Sequence, residues 1–322
     1  MKPTSIIFLI VAVVLMAAGL ATCFIATNMA EDSGVLLYSQ TLDENKNYVF
    51  TSDLSNIGTT KFEIEVKDCN VNIIGDSETS YVEIVNFKEG MYSYNITGKI
   101  ITLDETPSIS AMLKFWENGF KFKGMRHIIK LGADSSLEDK QKSVNVYLTK
   151  ADEAKIINLR VENGDVNITS MYSQTDYDIT LNGGDVRVAS LRTTSNLLLK
   201  GDKCNLFVDQ SFVRNLTVDI GEGNIVSKYY TFSNLDIHVD TGDVHIESTR
   251  EVNNFNINLS SKEGHITFDG ENLSGNYQND NEKGTGTIKI TTDSANITLN
   301  KSTAAPIADP ALDETEAADG AA

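Results

Sequence analysis

Positive charge is scarce in this chain: 27 lysines and arginines stand against 45 aspartates and glutamates, a formal charge of -18 over 322 residues. Binding to a nucleic-acid backbone rests on a basic footprint, so nucleic acid is excluded as the expected partner. Acidic cell-wall polymers are disfavoured on the same ground unless a cation bridges the two. Cysteine is scarcer, with only Cys23, Cys69 and Cys204, which agrees with a fold built without disulfides. Signatures of catalysis are missing as well. No nucleophile elbow or phosphate loop is present, and His127, His238, His245 and His265 share no spacing with Cys, Asp or Glu that suits a metal. No enzyme activity, cofactor or resident metal is expected. A polysaccharide-cleaving groove assembled from distant segments leaves no motif, and it stays open as the enzymatic alternative.

What the chain does have begins with Ile6 to Ile25, twenty residues without a charge, long enough to cross a ~30 Å hydrocarbon layer as a helix. Residues 1–30 therefore read as an N-terminal transmembrane anchor. A cleaved signal peptide competes, although its apolar region is usually ~7 to 15 residues and Asn28-Met29-Ala30 is a poor cleavage site. Leu20-Ala21-Thr22-Cys23 resembles a lipobox, with Thr22 where a smaller residue is usual. Lys2 is the only basic residue before the span, so orientation rests on the acidity of the remainder, which favours the outside. The expectation is a single-pass protein of the cell membrane with its C-terminal domain extracellular.

Beyond residue 60 a repeat emerges. Its clearest copies are IINLRVENGDVNITS (156–170), YDITLNGGDVRVAS (177–190), NLLLKGDKCNLFVD (196–209), NLTVDIGEGNIVSK (215–228), NLDIHVDTGDVHIES (234–248) and NFNINLSSKEGHITF (254–268). Each is an alternating strand, a tight corner, and a second short alternating strand. Alternation assigns one face inward: Leu159 and Val161, Ile179 and Leu181, Leu197 and Leu199, Leu216, Val218 and Ile220, Leu235, Ile237 and Val239 before the corner. Val166 and Ile168, Val186 and Val188, Leu206 and Val208, Val244 and Ile246 follow it. Val161 to Val166, Leu181 to Val186, Ile220 to Ile225 and Val239 to Val244 keep one phase across the corner. The same register returns in Phe62 to Ile73 and Ile288 to Leu299. A copy of ~20 residues cannot bury its apolar face alone, so the copies must stack. The predicted fold is all-β, a parallel β-solenoid of about seven rungs over 61–300. A two-sheet sandwich of hairpins is the alternative.

At the corners, Gly164, Gly184, Gly223, Gly242 and Gly264 supply positive φ or close backbone approach, and Cys69, Cys204 and Ala295 stand at equivalent places. Next comes Asp165, Asp185, Asp243, Asn70, Asn205, Asn224, Asn296 or His265, able to bond backbone amides at a turn. A calcium-binding edge is the competing reading, but Asn and His interrupt the carboxylate column. Cys69 and Cys204 fall several rungs apart, beyond the ~7 Å limit for bridging at ~4.8 Å per rung, and are expected as buried free thiols.

Strands followed by Gly-Asp-Val-x-Ile corners every ~20 residues behind one N-terminal span resemble a bacterial β-solenoid family called "putative adhesin", the DUF4097 type. The segments that carry the resemblance best are Ser143-Val-Asn-Val-Tyr-Leu148 and Val161-Glu-Asn-Gly-Asp-Val-Asn-Ile168. Thr149 replaces the proline that members tend to have. The resemblance implies a surface or envelope location and adhesion, and supplies no catalytic residues.

Outside the repeat, 31–60 reads as spacer and first cap, 81–106 as strand and hairpin, and 301–322 as a disordered acidic tail. The insertion at 107–142 contains MLKFWENGFKFKGMRHIIKL (112–131), in which Lys114, Lys121, Lys123, Arg126 and Lys130 are set among Phe115, Trp116, Phe120 and Phe122. A basic aromatic segment on an acidic body suits a lipid headgroup surface or an anionic partner. Its competing role is to fold apolar residues over the open end of the solenoid. The leading functional expectation is a membrane-anchored, adhesin-like binding or scaffolding protein that meets a protein or cell-surface partner, with Arg187, Asp178, Asp236 and His245 among its outward contacts. The alternative is an envelope-stress or signalling component that senses peptide or lipid through 112–131.

Overall fold

The computed structural model describes residues 41–42, 48–54, 58, 60–87, 92–97, 99–104, 141–150, 152, 156–273, 275–281, 284–305 and 307. Residues 6–25, read from the sequence as a membrane span, and the insertion segment 112–131 lie outside them. Among the described residues every regular element is a strand except the 3-10 turn Val252–Asn254, and no helix there is long and apolar enough to cross a membrane.

The strands pair in parallel and in register, copy upon copy. Leu181 lies beside Val161, Leu197 beside Tyr177, Leu216 beside Leu197 and Leu235 beside Leu216. Each copy contributes two main sides that flank the glycine corner. A short third side follows, in which Tyr172, Arg192, Phe212 and Thr231 come level in turn. The molecule is therefore a three-sided parallel β-solenoid between residues 61 and 301, not a hairpin sandwich.

All the inward residues read from the alternation are buried, at 3% exposure or less. Burying a Val, Leu or Ile contributes roughly 1.5–3 kcal/mol, and the stack gains it only when neighbouring copies close over each column. Ser227 breaks one such column, level with Val208 and Ile246, and the fully buried Tyr230 follows in the same copy.

Stacking order matches chain order only in the middle. From Ile156–Asn163 to Val244–Ser248 the copies follow one another as the sequence does. At the C-terminal end, Thr287–Ser294 and Ile297–Lys301 pair directly with 234–248 on one side and with Asn256–Ser261 and Ile266–Phe268 on the other. The last copy in sequence is thus inserted beneath the one before it. The N-terminal end mirrors this arrangement. Lys61–Val66 and Cys69–Ile74 pair with 156–169 on one side, and on the other with a terminal rung made of Ile100–Asp104 and Lys142–Tyr147. This rung is split at its corner. Where the next rung turns through Lys67 and Asp68, the described chain here ends its first side at Asp104 and begins its second at Lys142.

The sheet edges at both ends are closed by antiparallel strands. Tyr81–Val85 covers Lys142–Tyr147 and is itself covered by Tyr48–Asp53, while Ser93–Thr97 covers Ile100–Asp104. At the other end Tyr277–Asn279 and Glu271–Leu273 cover the copy at 256–268. An open parallel edge would invite pairing with another chain, and these strands reverse direction to occupy it. The expectation of a strand and hairpin over 81–106 is met here.

Gly242 shows why the corners need glycine. Its φ is +134°, and a Cβ built on it would lie 1.9 Å from the carbonyl oxygen of Gly223 in the rung below. Gly184 repeats the geometry against Gly164, with φ +131° and a separation of 2.1 Å.

Candidate functional site

Because rungs stack in register, one residue type repeated at one corner becomes a line of side chains, and the hydrogen bonds along that line decide what stays available for a ligand. After the glycine corner the side-chain oxygen of one rung accepts the backbone N–H of the next, except at Asn205, whose Nδ2 donates to Asp185 Oδ1 at 2.8 Å. Asp165 donates to Asn70 Oδ1 at 2.9 Å, Asp185 to Asp165 Oδ1 at 3.0 Å, and Asn224 to Asn205 Oδ1 at 2.9 Å. The line continues from Asp243 to Asn224 (2.9 Å), Asn296 to Asp243 (3.0 Å) and His265 to Asn296 (3.1 Å). The residues read as turn-bonding polar groups do bond backbone amides, but across rungs. Their oxygens are engaged in holding the stack, and no group of three or more His, Cys, Asp or Glu able to hold a metal occurs among the described residues.

A second line runs along the edge where the first side begins. Asn196 Nδ2 donates to Asp176 Oδ1 at 2.9 Å, Asn215 to Asn196 at 2.8 Å, and Asn234 to Asn215 at 2.7 Å, and the amide of Thr287 closes on Asn234 at 3.0 Å. The sequence reading missed this ladder. Its signal is the Asn or Asp immediately before the first inward residue: Asp176-Tyr177, Asn196-Leu197, Asn215-Leu216 and Asn234-Leu235.

The outward residues named from the sequence fall on two sides. Arg187 and His245 share one column of the second side, three copies apart, with Phe207 and Val226 between them. Asp178 and Asp236 share a column of the first side. They do not converge on one site, and three of them already have partners. Arg187 spans Asp165 at 3.1 Å and Asp185, Asp236 holds Lys289 at 3.1 Å, and His245 Nε2 lies 3.3 Å from Glu247. Lys114, Phe115, Trp116, Phe120, Lys121, Phe122, Lys123, Arg126 and Lys130 lie outside the described residues. The structure places only the ends of their segment, Asp104 and Lys142, at the corner of the terminal rung.

The third side has the most varied chemistry. Its outward column passes from Tyr172, 37% exposed, through Arg192 to Phe212 and Thr231, which are buried despite their outward register. The segment after the last strand crosses here: Ser302 N–H donates to the carbonyl of Ser248 at 2.6 Å, and Ile307 N–H to Thr231 Oγ1 at 3.0 Å. Two open depressions border it. One of about 570 Å³ lies among Arg250, Glu251, Asn254, Lys301 and the segment's first residues. The other, about 420 Å³, lies among Tyr172, Arg192, Gln210, Tyr229 and Ile307. Short, irregular third-side segments gave no periodicity from which these residues could be read.

Cys69 and Cys204 are buried free thiols, as expected. Burial pushes the Cys204 thiol up to about 11, with Asp185 and Asp202 adding to the effect. A thiol so suppressed is a packing residue and a poor nucleophile.

Residues 59–300 match the family described as Toastrack DUF4097. Among solved structures, a "putative cell adhesion protein" from Clostridium sporogenes is similar at 12% identity, with a TM-score of 0.39 and coverage of 80% of this chain and 99% of that one. A "putative adhesin" from Parabacteroides merdae is similar at 11% identity and a TM-score of 0.30, covering 82% and 100% respectively. No curated protein matches.

Proposed function

The chain belongs to the Toastrack DUF4097 family, and from that premise we propose that it is an adhesin-like binding or scaffolding protein of the cell surface, held by residues 6–25 in the membrane with its solenoid outside. The observation that carries this reading is how polar groups are used. Both side-chain ladders are engaged in stacking, while the outward columns of the first and second sides form broad solvated faces. Faces of this kind suit contact with another macromolecule better than turnover of a small substrate. The reading includes no enzyme activity.

Two measurements test it. Protease added to intact cells should remove the solenoid, and full chain immobilised on beads should retain sibling or host cells above a control protein of equal charge. Protection from protease, or shortening of a glycan panel by the purified chain, would overturn it.

A second reading rests on the split terminal rung. The basic aromatic segment leaves from Asp104 and returns at Lys142, at one end of the stack, where a peptide or lipid sensor would be separated from the other faces. Quenching of Trp116 fluorescence by quencher-labelled anionic lipid headgroups, comparing the full chain with a form in which the cations of 112–131 are replaced by Gln, separates this reading from the first, because Trp116 is the chain's one tryptophan. Equal quenching removes it.

A further inference from the structure

The third side is covered over only part of its length. Phe212 and Thr231 are 4% and 3% exposed, although both are level with the outward-facing Arg192. Segment 302–307 runs from Ser248 to Thr231 and, at Ile307, enters the depression shared with Tyr172 and Arg192. It is travelling down the stack, against the direction in which the copies were laid.

Ahead of Ile307 the surface turns cationic. Arg192 lies 5.0 Å and Lys150 4.9 Å from the Tyr172 ring centroid, and Lys150 Nζ also lies 3.7 Å from Asp76. The chain that follows, 308–322, carries Asp309, Asp313, Glu314, Glu316 and Asp319 and no base. From Thr231 to Tyr172 is three steps of the stack, about 14 Å at ~4.8 Å each, which four or five extended residues cover at ~3.3 Å apiece. A path of that length would bring Asp313 and Glu314 level with Lys150.

We propose that the acidic segment 308–322 docks on the strip formed by Arg192, Tyr172 and Lys150 and continues the path of 302–307. The strip is thereby an acceptor for acidic extended peptide, and the chain's own segment is its resident occupant. The proposal does not depend on the adhesin-like reading, since it concerns an intramolecular contact.

Carbodiimide coupling of the full chain in detergent, followed by peptide mapping, tests it without any substitution, because the reagent joins an amine only to a carboxylate in contact with it. Lys150 should couple to a carboxylate of 308–322. The yield should fall about tenfold in Arg192→Glu, which exchanges an attraction for a repulsion, and in about 1 M salt, where the Debye length is ~3 Å. Coupling of Lys150 to Asp76 should survive in the variant and shows that it is folded. Coupling of Lys150 to Asp76 alone in the unaltered chain would overturn the proposal. So would links to 308–322 that join isotope-labelled to unlabelled chains, which would make a second copy the occupant.

Discussion

Asn296 donates both its backbone amide, at 3.0 Å, and its side-chain amide, at 2.9 Å, to the same oxygen of Asp243, a residue 53 positions earlier. The pair joins two rungs that are neighbours in space although a whole other copy separates them in sequence. Replacing Asp243 with Ala leaves the exposed Asn296 amide to water in place of its protein acceptor, and loss of a hydrogen bond open to solvent costs about 0.5–1.5 kcal/mol. Asp243→Asn keeps the acceptor and should cost less than half as much. Urea unfolding of the two variants checks this, and equal losses would mean that the ladder contributes nothing.

Gly242 and Gly270 both have positive φ, at +134° and +82°, but only Gly242 faces a carbonyl that a Cβ would strike. Gly270→Ala should cost about 1–2 kcal/mol for left-handed backbone strain. Gly242→Ala adds a displacement of the rung below and belongs with the severe class, about 4 kcal/mol or more. Thermal unfolding that ranked the two equally would remove close approach as the reason for glycine at this corner.

Two hydroxyls in the core, Ser227 Oγ and Tyr230 OH, have no hydrogen-bond partner among the described residues. Burial alone pushes the Tyr230 phenol far above its ordinary range. Removing an unmatched buried hydroxyl relieves its desolvation, so Ser227→Ala or Tyr230→Phe should be neutral or stabilising by about 1 kcal/mol. A loss of more than about 1 kcal/mol in either variant, the ordinary worth of a hydrogen bond, would reveal an internal partner.

Raising the pH should expose the Cys204 thiol's position. Its folded pKa of about 11 lies above the ordinary thiol value of 9.0, so the folded state holds the proton more tightly. The contribution is fully present below about pH 9 and is lost as pH rises from there through about 11. This sign follows from the unfolded chain binding fewer protons within the window. Cys204→Ala, at a corner where Ala295 already stands in another rung, should show a smaller fall in stability over that window. In the unaltered chain, labelling of Cys204 should track global unfolding; prompt native-state labelling at neutral pH would contradict its burial.

The sequence disclosed the repeating parts of this structure and concealed their order. Side chains such as Leu181 and Val186 could be assigned inward because strand alternation has a fixed period of two and the corner preserves the phase. The corner Asp and Asn were legible as amide acceptors. That each accepts from the next rung became visible only once the rungs were stacked. The insertion of 287–301 between 234–248 and 256–268 left no local trace, since each copy has the same pattern and any could lie beside any other. Partnership was also hidden on the third side: Phe212 is level with the outward-facing Arg192 yet buried, and the segment that bonds this side at Ser248 and Thr231 comes much later in the chain.

The reversed threading restricts how such a chain can change length. A duplication between Asp176 and Ser248 adds one turn where translation order and spatial order agree, so the newcomer finds a free seat on each neighbour. A copy appended after Lys301 has no seat, because the outermost place is already held by residues that were made earlier. Growth and loss of repeats are therefore confined to the interior of the gene, and the two extremities are inherited as fixed fittings.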